Sequence, residues 1–547
     1  ADTTAIEALA EALTFGLDGV YNTTTAGFDL TIQNQAGVTS NFNRAQAFSV
    51  DRDFVQVLQS TSPEAQVNTF TADDQQSPRI AALSDGGYVV TWTSEFQDNP
   101  ASGNRGIFAQ LYNAQGVQVG AEFQVNDIAA ADQIQPRAAG LDNGNFVVMW
   151  TESGNSRDGS GQSVYGQLYQ NDGTTLGTAF QVNEEFSSDQ NSAQIVDLGA
   201  GRFMAIWDSQ TIGDAGDGSG RGIFGRTFDV TGTPEAGEFQ INSTTTSDQL
   251  RPRATDLPDG DVMVVWEERG GADGSSFGVF AQRIDGNGAL VSFDGTTAGA
   301  DERQINTTTL NTQDRPDVAA LQASAALPSG GFVFVWESVD SSGDGIFGQI
   351  YDINGVAQGG EFQINTVETS TQFDPVVVGT NDGGFVVAWS DDSGVDGSGR
   401  GVTAQRFNAD GSADGLPFVI NGETSSTQDQ PELAVLINGT LAAVWTSFTS
   451  GTAGDGDRNG VFQALFDQPA GPAGSGSPVL EGIEETVSFL ESAVNAAPQL
   501  LNQDGAVSLT DMDSADLDGG SILVSRVVGS GAIQDELRGP GEGAAQD

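Results

Sequence analysis

One pattern occurs seven times along the chain, and this repeat constrains the fold more than any other feature. Each copy contains a signature close to Phe-Gln-Val-Asn, and successive signatures are roughly 60 residues apart. The signature asparagines are Asn68, Asn126, Asn183, Asn242, Asn306, Asn365 and Asn421. A connector that holds a glutamine follows each signature, and an apolar strand that ends in tryptophan comes next. All seven tryptophans of the protein occupy this position, at Trp92, Trp150, Trp207, Trp266, Trp336, Trp389 and Trp445.

Each copy has the pattern of four short strands, which we label A to D. In the first copy, strand A includes Ile80 to Leu83, strand B ends at the tryptophan, and strand C is Gly106 to Tyr112. Strand D carries the signature. The apolar residues alternate or run continuously, Gly-rich turns separate the strands, and helical periodicity is almost absent. Four-stranded units of this length predict the blades of a β-propeller rather than the coils of a solenoid.

The phase of the repeat predicts how the ring closes. The first strand D, Ala65 to Asn68, precedes the first strand A, and the last copy ends at Asp467 without a strand D of its own. Because an unpaired edge strand is exposed to aggregation, we expect Ala65 to Asn68 to pair with Val461 to Phe466. The predicted fold is therefore all-β, a seven-bladed propeller over residues 65–468 that is closed by an N-terminal strand.

The segments on either side of the repeat have different patterns. Residues 1–64 form an N-terminal segment or cap of unknown fold, and residues 469–479 are a linker rich in Gly, Pro, Ser and Ala. Residues 480–547 contain three strand-like stretches, at Glu485 to Phe489, Ala506 to Leu509 and Ser521 to Val528. They predict a partial β-sandwich-like segment.

The charged residues limit the possible chemistry. The 20 basic residues are all arginine, against 75 acidic residues, which gives a net charge of −55. Such a chain repels nucleic acids and anionic membranes, and no apolar stretch is long enough to insert into a membrane. Without His, Cys or Lys, carboxylate chemistry and oxygen-ligand metals remain, which favours Ca²⁺ as a cofactor. The sequence does not indicate an oligomeric state.

Acidic loops are the first candidates for Ca²⁺ binding. A four-stranded meander places the B–C loops and the D–A connectors on one face of the ring, and six of the seven B–C loops contain Asp-Gly. The candidate metal ligands in these loops are Asp158, Asp214, Asp217, Asp273, Asp344, Asp391, Asp392, Asp396, Asp455 and Asp457. Their carboxylates could bind Ca²⁺, or the Asp-Gly pairs could be ordinary turns, since both residues tolerate positive φ.

The densest acidic cluster lies after the repeat. It comprises Asp511, Asp513, Asp516 and Asp518, and Gly519-Gly520 follows it directly. Four carboxylates this close repel one another unless a cation neutralises them, and their spacing could wrap a hard cation such as Ca²⁺. A solvated acidic turn is the alternative interpretation.

The repeat unit, with its FQVN, DQxxP, DGGFVVxW and DGSGxGIFGQxYD segments, resembles the propeller-like repeats of large secreted calcium-binding bacterial proteins of the RTX and hemolysin type. Residues 508–527, SLTDMDSADLDGGSILVSRV, are similar to the cadherin-like or immunoglobulin-like modules that follow such repeats. The resemblance implies a calcium-stabilised adhesion protein at the surface of a Gram-negative bacterium or outside the cell, exported without a cleaved N-terminal signal.

We therefore predict a non-catalytic, calcium-stabilised interaction or adhesion module that binds a protein or glycan ligand on a cell surface, and not an enzyme. A catalytic site should break the symmetry of the repeat, and Glu267, Glu268, Asp314 and Asp317 have the pattern of loop and connector acids. The alternatives are a carboxylate-dependent glycan-active enzyme with two facing acids, or a sugar-binding propeller lectin.

Overall fold

A computed structural model describes residues 59–467 and four strands outside that range. The gaps within the range are residues 61, 63, 99–102, 155–156, 158, 160, 185–187, 211–219, 272–273, 275–276, 297–298, 300, 310, 341–342, 368–369, 398, 425–426 and 449–457. The chain divides into two compact units, residues 53–471 and residues 1–52 with 472–547. The described residues include only β-strands and turns, so none of them belongs to a helix that could cross a membrane.

The unit formed by the two ends of the chain contains one antiparallel sheet. Its strands are β1 (Gly27–Asn34), β32 (Gln499–Leu501), β33 (Gly520–Val528) and β34 (Gly531–Ile533), in the order β32-β1-β33-β34. Strand β1 pairs with β33 along its whole length, from Gly27 opposite Val527 to Asn34 opposite Gly520. The predicted strand Ser521 to Val528 is part of β33. The other two predicted strands of this segment lie outside the described residues.

Residues 59–467 form a seven-bladed β-propeller. The seven sheets are antiparallel meanders, and each strand A contacts the strand A of the next blade around the ring. The strands of blades 1 to 3 are β4 (Gln75–Ala82), β5 (Tyr88–Glu95), β6 (Arg105–Tyr112), β7 (Gln118–Gln124), β8 (Asp132–Gly140), β9 (Asn145–Ser153), β10 (Gln162–Gln170), β11 (Thr175–Gln181), β12 (Gln190–Gly199), β13 (Arg202–Ser209), β14 (Gly222–Phe228) and β15 (Phe239–Gln240).

Blades 4 and 7 differ slightly from the others, because two short strands pair with strand C at the outer edge of each. The strands of blades 4 and 5 are β16 (Asp248–Asp256), β17 (Val262–Arg269), β18 (Phe277–Ile284), β19 (Leu290–Val291), β20 (Arg303–Gln304), β21 (Gln313–Leu321), β22 (Gly331–Val339), β23 (Asp344–Asp352) and β24 (Ala357–Gln363). Those of blades 6 and 7 are β25 (Gln372–Gly379), β26 (Phe385–Asp391), β27 (Gly401–Phe407), β28 (Phe418–Val419), β29 (Thr427–Val435), β30 (Leu441–Phe448) and β31 (Asn459–Asp467).

The predicted closure of the ring is confirmed. Strands β2 (Gln59–Ser60) and β3 (Ala65–Gln66) both pair with β31, and Gln66 lies opposite Phe462. The backbone N–H of Val67 donates to the carbonyl of Val461 at 2.8 Å. Residues that precede blade 1 therefore complete blade 7, as the phase of the repeat indicates.

The core consists of seven apolar clusters between adjacent blades. Each tryptophan is at most 1% exposed, and Trp266 of blade 4, for example, packs in the same cluster as Ile206 of blade 3. Bulky aromatic side chains fill the wedge between twisted sheets. The tryptophan at the end of each strand B therefore packs between adjacent blades.

A repeated Asn–Gln pair also joins neighbouring blades. The signature asparagine donates its Nδ2 to the Oε1 of the connector glutamine over 2.9 to 3.3 Å in all seven copies. Its Oδ1 accepts a backbone N–H of strand C over 2.7 to 2.9 Å. The glutamines are fully buried. Each glutamine therefore bonds to a side chain of the neighbouring blade.

Removing one such asparagine should destabilise the ring. We expect Asn242→Ala to lower the free energy of unfolding by about 2 to 3 kcal/mol, because the buried Gln249 and the N–H of Ile223 each lose a hydrogen bond. Urea denaturation measures this loss. Asn287→Ala, in an exposed turn, is the matched control, and equal effects of the two changes would contradict the assigned role.

Candidate functional site

A backbone irregularity recurs in strand A of every blade, next to the ring axis. The residue two positions after the connector glutamine has a positive φ, between 47° and 56°. These residues are Ser77, Gln135, Ser192, Arg251, Arg315, Asp374 and Gln430. The strand register shifts at each of them, which identifies a β-bulge. Bulges re-aim side chains, and non-glycine residues in this conformation are strained, which is common at functional sites.

The bulge residues line a cavity of about 350 Å³, which we call the axial cavity. Side chains two positions further along strand A also line it, including those of Arg79, Arg137, Arg253 and Glu432. Five arginines face two acids, Asp374 and Glu432, in the cavity wall. The axial cavity therefore has a cationic wall in a strongly acidic protein.

Two carboxyl groups meet at the side of the axial cavity formed by blades 5 and 6. Nη1 of Arg315 lies 3.1 Å from Oε1 of Glu337 and 2.9 Å from Oδ1 of Asp374. Because one nitrogen contacts both, these oxygens are at most about 6 Å apart, close to the spacing of paired carboxyl groups in glycosidases. The backbone N–H of Asp374 also donates to Oε1 of Glu337 at 2.5 Å. The Asp374 side chain is 36% exposed and the Glu337 side chain only 8%.

Glu337 belongs to a position at which the sevenfold symmetry is broken. The residue directly after the strand B tryptophan is Thr93, Thr151, Asp208, Glu267, Glu337, Ser390 or Thr446 in blades 1 to 7. The three acids occupy consecutive blades, and all three are buried. The interpretation of Glu267 and Glu268 as loop acids was wrong, since both lie inside strand β17 and are at most 1% exposed. Asp314 and Asp317 likewise lie inside strand β21. A position-by-position comparison of the seven copies would have found this signal.

The fold does not need a carboxylate at this position. The acids accept the backbone N–H of the bulge residue in the next blade, as Glu267 does from Arg315 at 3.4 Å. In blade 6, the hydroxyl of Ser390 accepts the equivalent N–H of Gln430 at 3.3 Å. A buried carboxyl group costs stability where a hydroxyl would serve. The acids of blades 3 to 5 therefore point to a role in function.

Burial changes the protonation of these acids. It raises the pKa of Glu337 to about 8, against the opposing effect of the Arg315 guanidinium and with a further increase from Asp314. Burial also raises the pKa of Asp208 to about 6, opposed by Arg221. The pKa of Asp314 is raised by burial and then by the charge of Glu267. At neutral pH, Glu337 therefore carries a proton beside the half-exposed Asp374.

This protonation predicts a pH-dependent stability. The folded state binds the Glu337 proton more tightly than the unfolded chain does. The contribution of this proton to the free energy of unfolding is therefore fully present below the ordinary pKa of 4.5, and it is lost as the pH rises through about 8. We expect Glu337→Ser to gain stability relative to the wild type between pH 5 and pH 8.5 by a few kcal/mol. Urea denaturation across this range measures the gain. Parallel pH curves for the two proteins would contradict the raised pKa.

A second cavity of about 260 Å³ adjoins the first, and we call it the side cavity. Both cavities are lined by Ser192 and Arg251. In the side cavity, Arg221 contacts Asp208 at 2.5 Å through its side chain and Asp248 at 3.0 Å through its backbone N–H. Arg269 also lines this cavity. Together the two cavities form a groove from the ring axis over blades 3 and 4.

The structure describes four of the residues predicted to bind Ca²⁺, and protein groups contact at least three of them. Asp391 is buried and accepts the N–H of Ser393 at 2.8 Å. Asp392 pairs with Arg400 at 2.8 Å, Asp396 accepts Nδ2 of Asn421 at 3.1 Å, and Asp344 begins strand β23. Among the described residues, no group of three or more acids is placed to hold a metal ion. Outside the described residues lie Asp158, Asp214, Asp217, Asp273, Asp455, Asp457, Asp511, Asp513, Asp516 and Asp518.

Ca²⁺ binding by those ten residues stays a prediction, and a thermal melt tests it. If the loops bind Ca²⁺, EDTA should lower the Tm by several degrees, because a ligand that binds only the folded state stabilises it. Added CaCl₂ should restore the Tm, and MgCl₂ should not. An unchanged Tm in EDTA would contradict the prediction.

Comparisons with known proteins show similarity in fold. No family model matches the chain, and no curated protein matches it. An α-L-arabinanase from Penicillium chrysogenum, solved with arabinobiose, has 14% identity and a TM-score of 0.43, over 64% of this chain and 98% of that one. The polysaccharide lyase Uly1 has 10% identity and a TM-score of 0.46, over 80% and 98%. The NanB sialidase from Streptococcus pneumoniae has 10% identity and a TM-score of 0.39, over 76% and 70%.

The comparisons correct two predictions from the sequence. A non-catalytic adhesion module was expected, but the similar structures include an arabinanase, a sialidase and a polysaccharide lyase. The expectation that the chain is not an enzyme is corrected together with the expectation of an adhesion module. It depended on the supposed absence of acids that break the repeat, and Asp208, Glu267 and Glu337 are such acids. Since the similarity extends to the fold alone, the chemistry has to be argued from the residues of this chain.

Proposed function

We propose that the propeller is a carboxylate-dependent enzyme that hydrolyses glycosidic bonds in the axial cavity. The observation that carries the proposal is the group of Glu337, Arg315 and Asp374. Burial keeps Glu337 protonated at neutral pH, while Asp374 lines the cavity beside a guanidinium. Two carboxyl groups whose environments favour different protonation states are the basis of acid and base catalysis in glycosidases.

Each residue has a defined role in the proposed reaction. The proton of Glu337 passes, directly or through one water molecule, to the glycosidic oxygen as the bond to the anomeric carbon breaks. Because the two carboxyl groups are too close to leave room for a water molecule between them and the sugar, Asp374 attacks the anomeric carbon as that bond breaks and forms a covalent glycosyl ester. A water molecule then adds its hydroxyl to the anomeric carbon, which releases the Asp374 carboxylate, and the remaining proton of the water returns to Glu337. Arg315 is a positioning residue, because it holds both carboxyl groups.

Glycans are proposed as the substrate class on two grounds. The chain lacks the side chains of many other reaction types, since it has no His, Cys or Lys. The arabinanase and the polysaccharide lyase that are similar in fold are named for glycans. A ligand on a cell surface, an extracellular location and export from a Gram-negative bacterium remain proposals that follow from the resemblance of the repeats.

An activity screen tests the proposal. The purified chain is incubated with neutral and acidic polysaccharides, and new reducing ends and unsaturated products are measured separately. We expect reducing ends to form without unsaturated sugars, because hydrolysis adds water. Unsaturated products would replace hydrolysis by elimination, and binding without any cleavage would contradict an enzyme.

A further inference from the structure

We propose that the groove formed by the axial and side cavities binds a carboxylated glycan, a polymer of uronic acids. The inference rests on the proposed function for cleavage, but binding is measured on its own. The inference identifies the substrate class from the negative charge that the arginines of the groove would neutralise.

The first argument is the distribution of arginine. Seven of the 20 arginines line the two cavities, which is unexpected for a chain with a net charge of −55. They are Arg79, Arg137, Arg221, Arg251, Arg253, Arg269 and Arg315. Four acids line the same walls, namely Asp208, Asp248, Asp374 and Glu432. The groove therefore has an excess of positive charge, while the chain as a whole is acidic.

The second argument is that the guanidinium groups keep unused hydrogen-bond donors. Among the described residues, Arg253 has only a 3.7 Å contact to Asp317, which is too long for a hydrogen bond. Arg251 is 48% exposed, and its side chain donates to Glu267 at 3.3 Å. Nε of Arg79 is buried without a hydrogen-bond partner. A guanidinium has five N–H groups, and two of them match the two oxygens of a carboxylate.

The buried acids beneath the groove reduce this positive charge less than their number suggests. Burial raises the pKa of Glu337 to about 8 and that of Asp317 to about 6, in the latter case against the opposing charge of Arg253. Some of the buried carboxyl groups below the groove are therefore protonated, and carry no charge, near neutral pH. This favours binding of an anion in the groove.

The third argument is that the repeat does not require arginine at these positions. Arg251 and Arg253 of blade 4 correspond to Ser192 and Gln194 of blade 3. Glutamine also occupies the first position in two other blades, as Gln135 and Gln430. The propeller thus accepts Ser or Gln where blade 4 has two guanidinium groups, so their presence points to a ligand.

Calorimetry on the Glu337→Ser variant tests the inference without cleavage. The probes are oligomers of galacturonate, glucuronate and alginate, with their methyl esters as neutral forms of the same sugars, and a sulfated galactan oligomer. We expect at least one uronate oligomer to bind at least tenfold more tightly than its ester. The double variant Arg251→Gln/Arg253→Gln, in the same background, should weaken that binding at least tenfold and leave the ester unchanged. Arg202→Gln, which removes the pair between the first residue of β13 and Glu235 in the connection between β14 and β15, should change neither.

Three outcomes would overturn the inference. They are equal binding of uronates and esters, no binding of any uronate, or tighter binding of the sulfated galactan than of every uronate. The proposed function is tested separately from the binding inference. If the inactive variant binds uronates but the wild type cleaves no glycan, neutral or acidic, the proposed enzyme is disproved and the binding site stands. If the wild type cleaves neutral glycans and no uronate binds, the proposed enzyme stands and the uronate inference fails.

Discussion

Replacing Glu337 by serine or Asp374 by asparagine should reduce kcat for glycan cleavage by about 10³-fold or more, because each change removes one of the two catalytic carboxyl groups. Serine is the substitution of choice at Glu337. Ser390 occupies the same position in blade 6 and accepts the equivalent backbone N–H there. The variant should therefore fold. Its melting curve and circular dichroism verify this before its activity is measured.

Asp172→Asn is the matched control, since Asp172 lies in a turn at the outer edge of blade 2 and accepts only local hydrogen bonds. We expect it to keep full activity. Arg315→Gln tests the positioning role of Arg315. Loss of a positioning residue should lower kcat and also shift the pH dependence of kcat. Full activity in both Glu337→Ser and Asp374→Asn would remove the axial carboxyl pair from the mechanism.

Deleting the closing strand should have the largest effect on stability. A chain that begins at Thr69 lacks the fully buried Val67 and leaves β31 as an open edge. It also lacks Asn68, whose Oδ1 accepts the N–H of Val461 at 2.8 Å. We expect the free energy of unfolding to fall by on the order of 5 kcal/mol or more, from the lost core packing and the unpaired buried groups.

The control for this deletion is a chain that begins at Gln59 and retains β2 and β3. Both truncated chains lack residues 1–58, so the comparison isolates the closing strand. A synthetic peptide of residues 59–68, added to the shorter chain, should recover part of the lost stability. Equal urea midpoints for the two truncated chains would show that the ring does not depend on this strand.

The sequence predicted the architecture because the repeat has one tryptophan and one Asn–Gln pair per copy. Each of these fixes a core or blade-to-blade contact, and seven copies make their spacing unambiguous. The position of Ala65 to Asn68 before the first strand A was sufficient to predict the closure that the β3–β31 pairing confirms. The ring can therefore be predicted from the spacing of such a regular repeat, without knowledge of any side-chain position.

The candidate site was not predicted, for two physical reasons. A proline follows the bulge residue in six of the seven blades, as Pro252 follows Arg251, but proline in a strand is equally typical of an edge strand or a strand start and does not by itself identify a bulge. The packed blades also hold Arg251, Arg315 and Asp374 in a conformation that these residues rarely adopt alone. The Asp-Gly loops also carry most of the evident carboxylate pattern of the repeat, whereas the B strands are almost wholly apolar up to their tryptophans. Glu337 follows Trp336 there as one acid in an apolar strand, and only comparison with the six equivalent positions reveals that it differs.

A crystal structure of the Glu337→Ser variant with a bound oligosaccharide tests whether the axial cavity is the site of glycan cleavage. We expect the sugar in the axial cavity, with an anomeric carbon facing the carboxylate of Asp374, its glycosidic oxygen facing residue 337, and the chain extending past Arg251 into the side cavity. An oligosaccharide bound on the outer strands or loops, with the axial cavity free of sugar, would contradict this expectation.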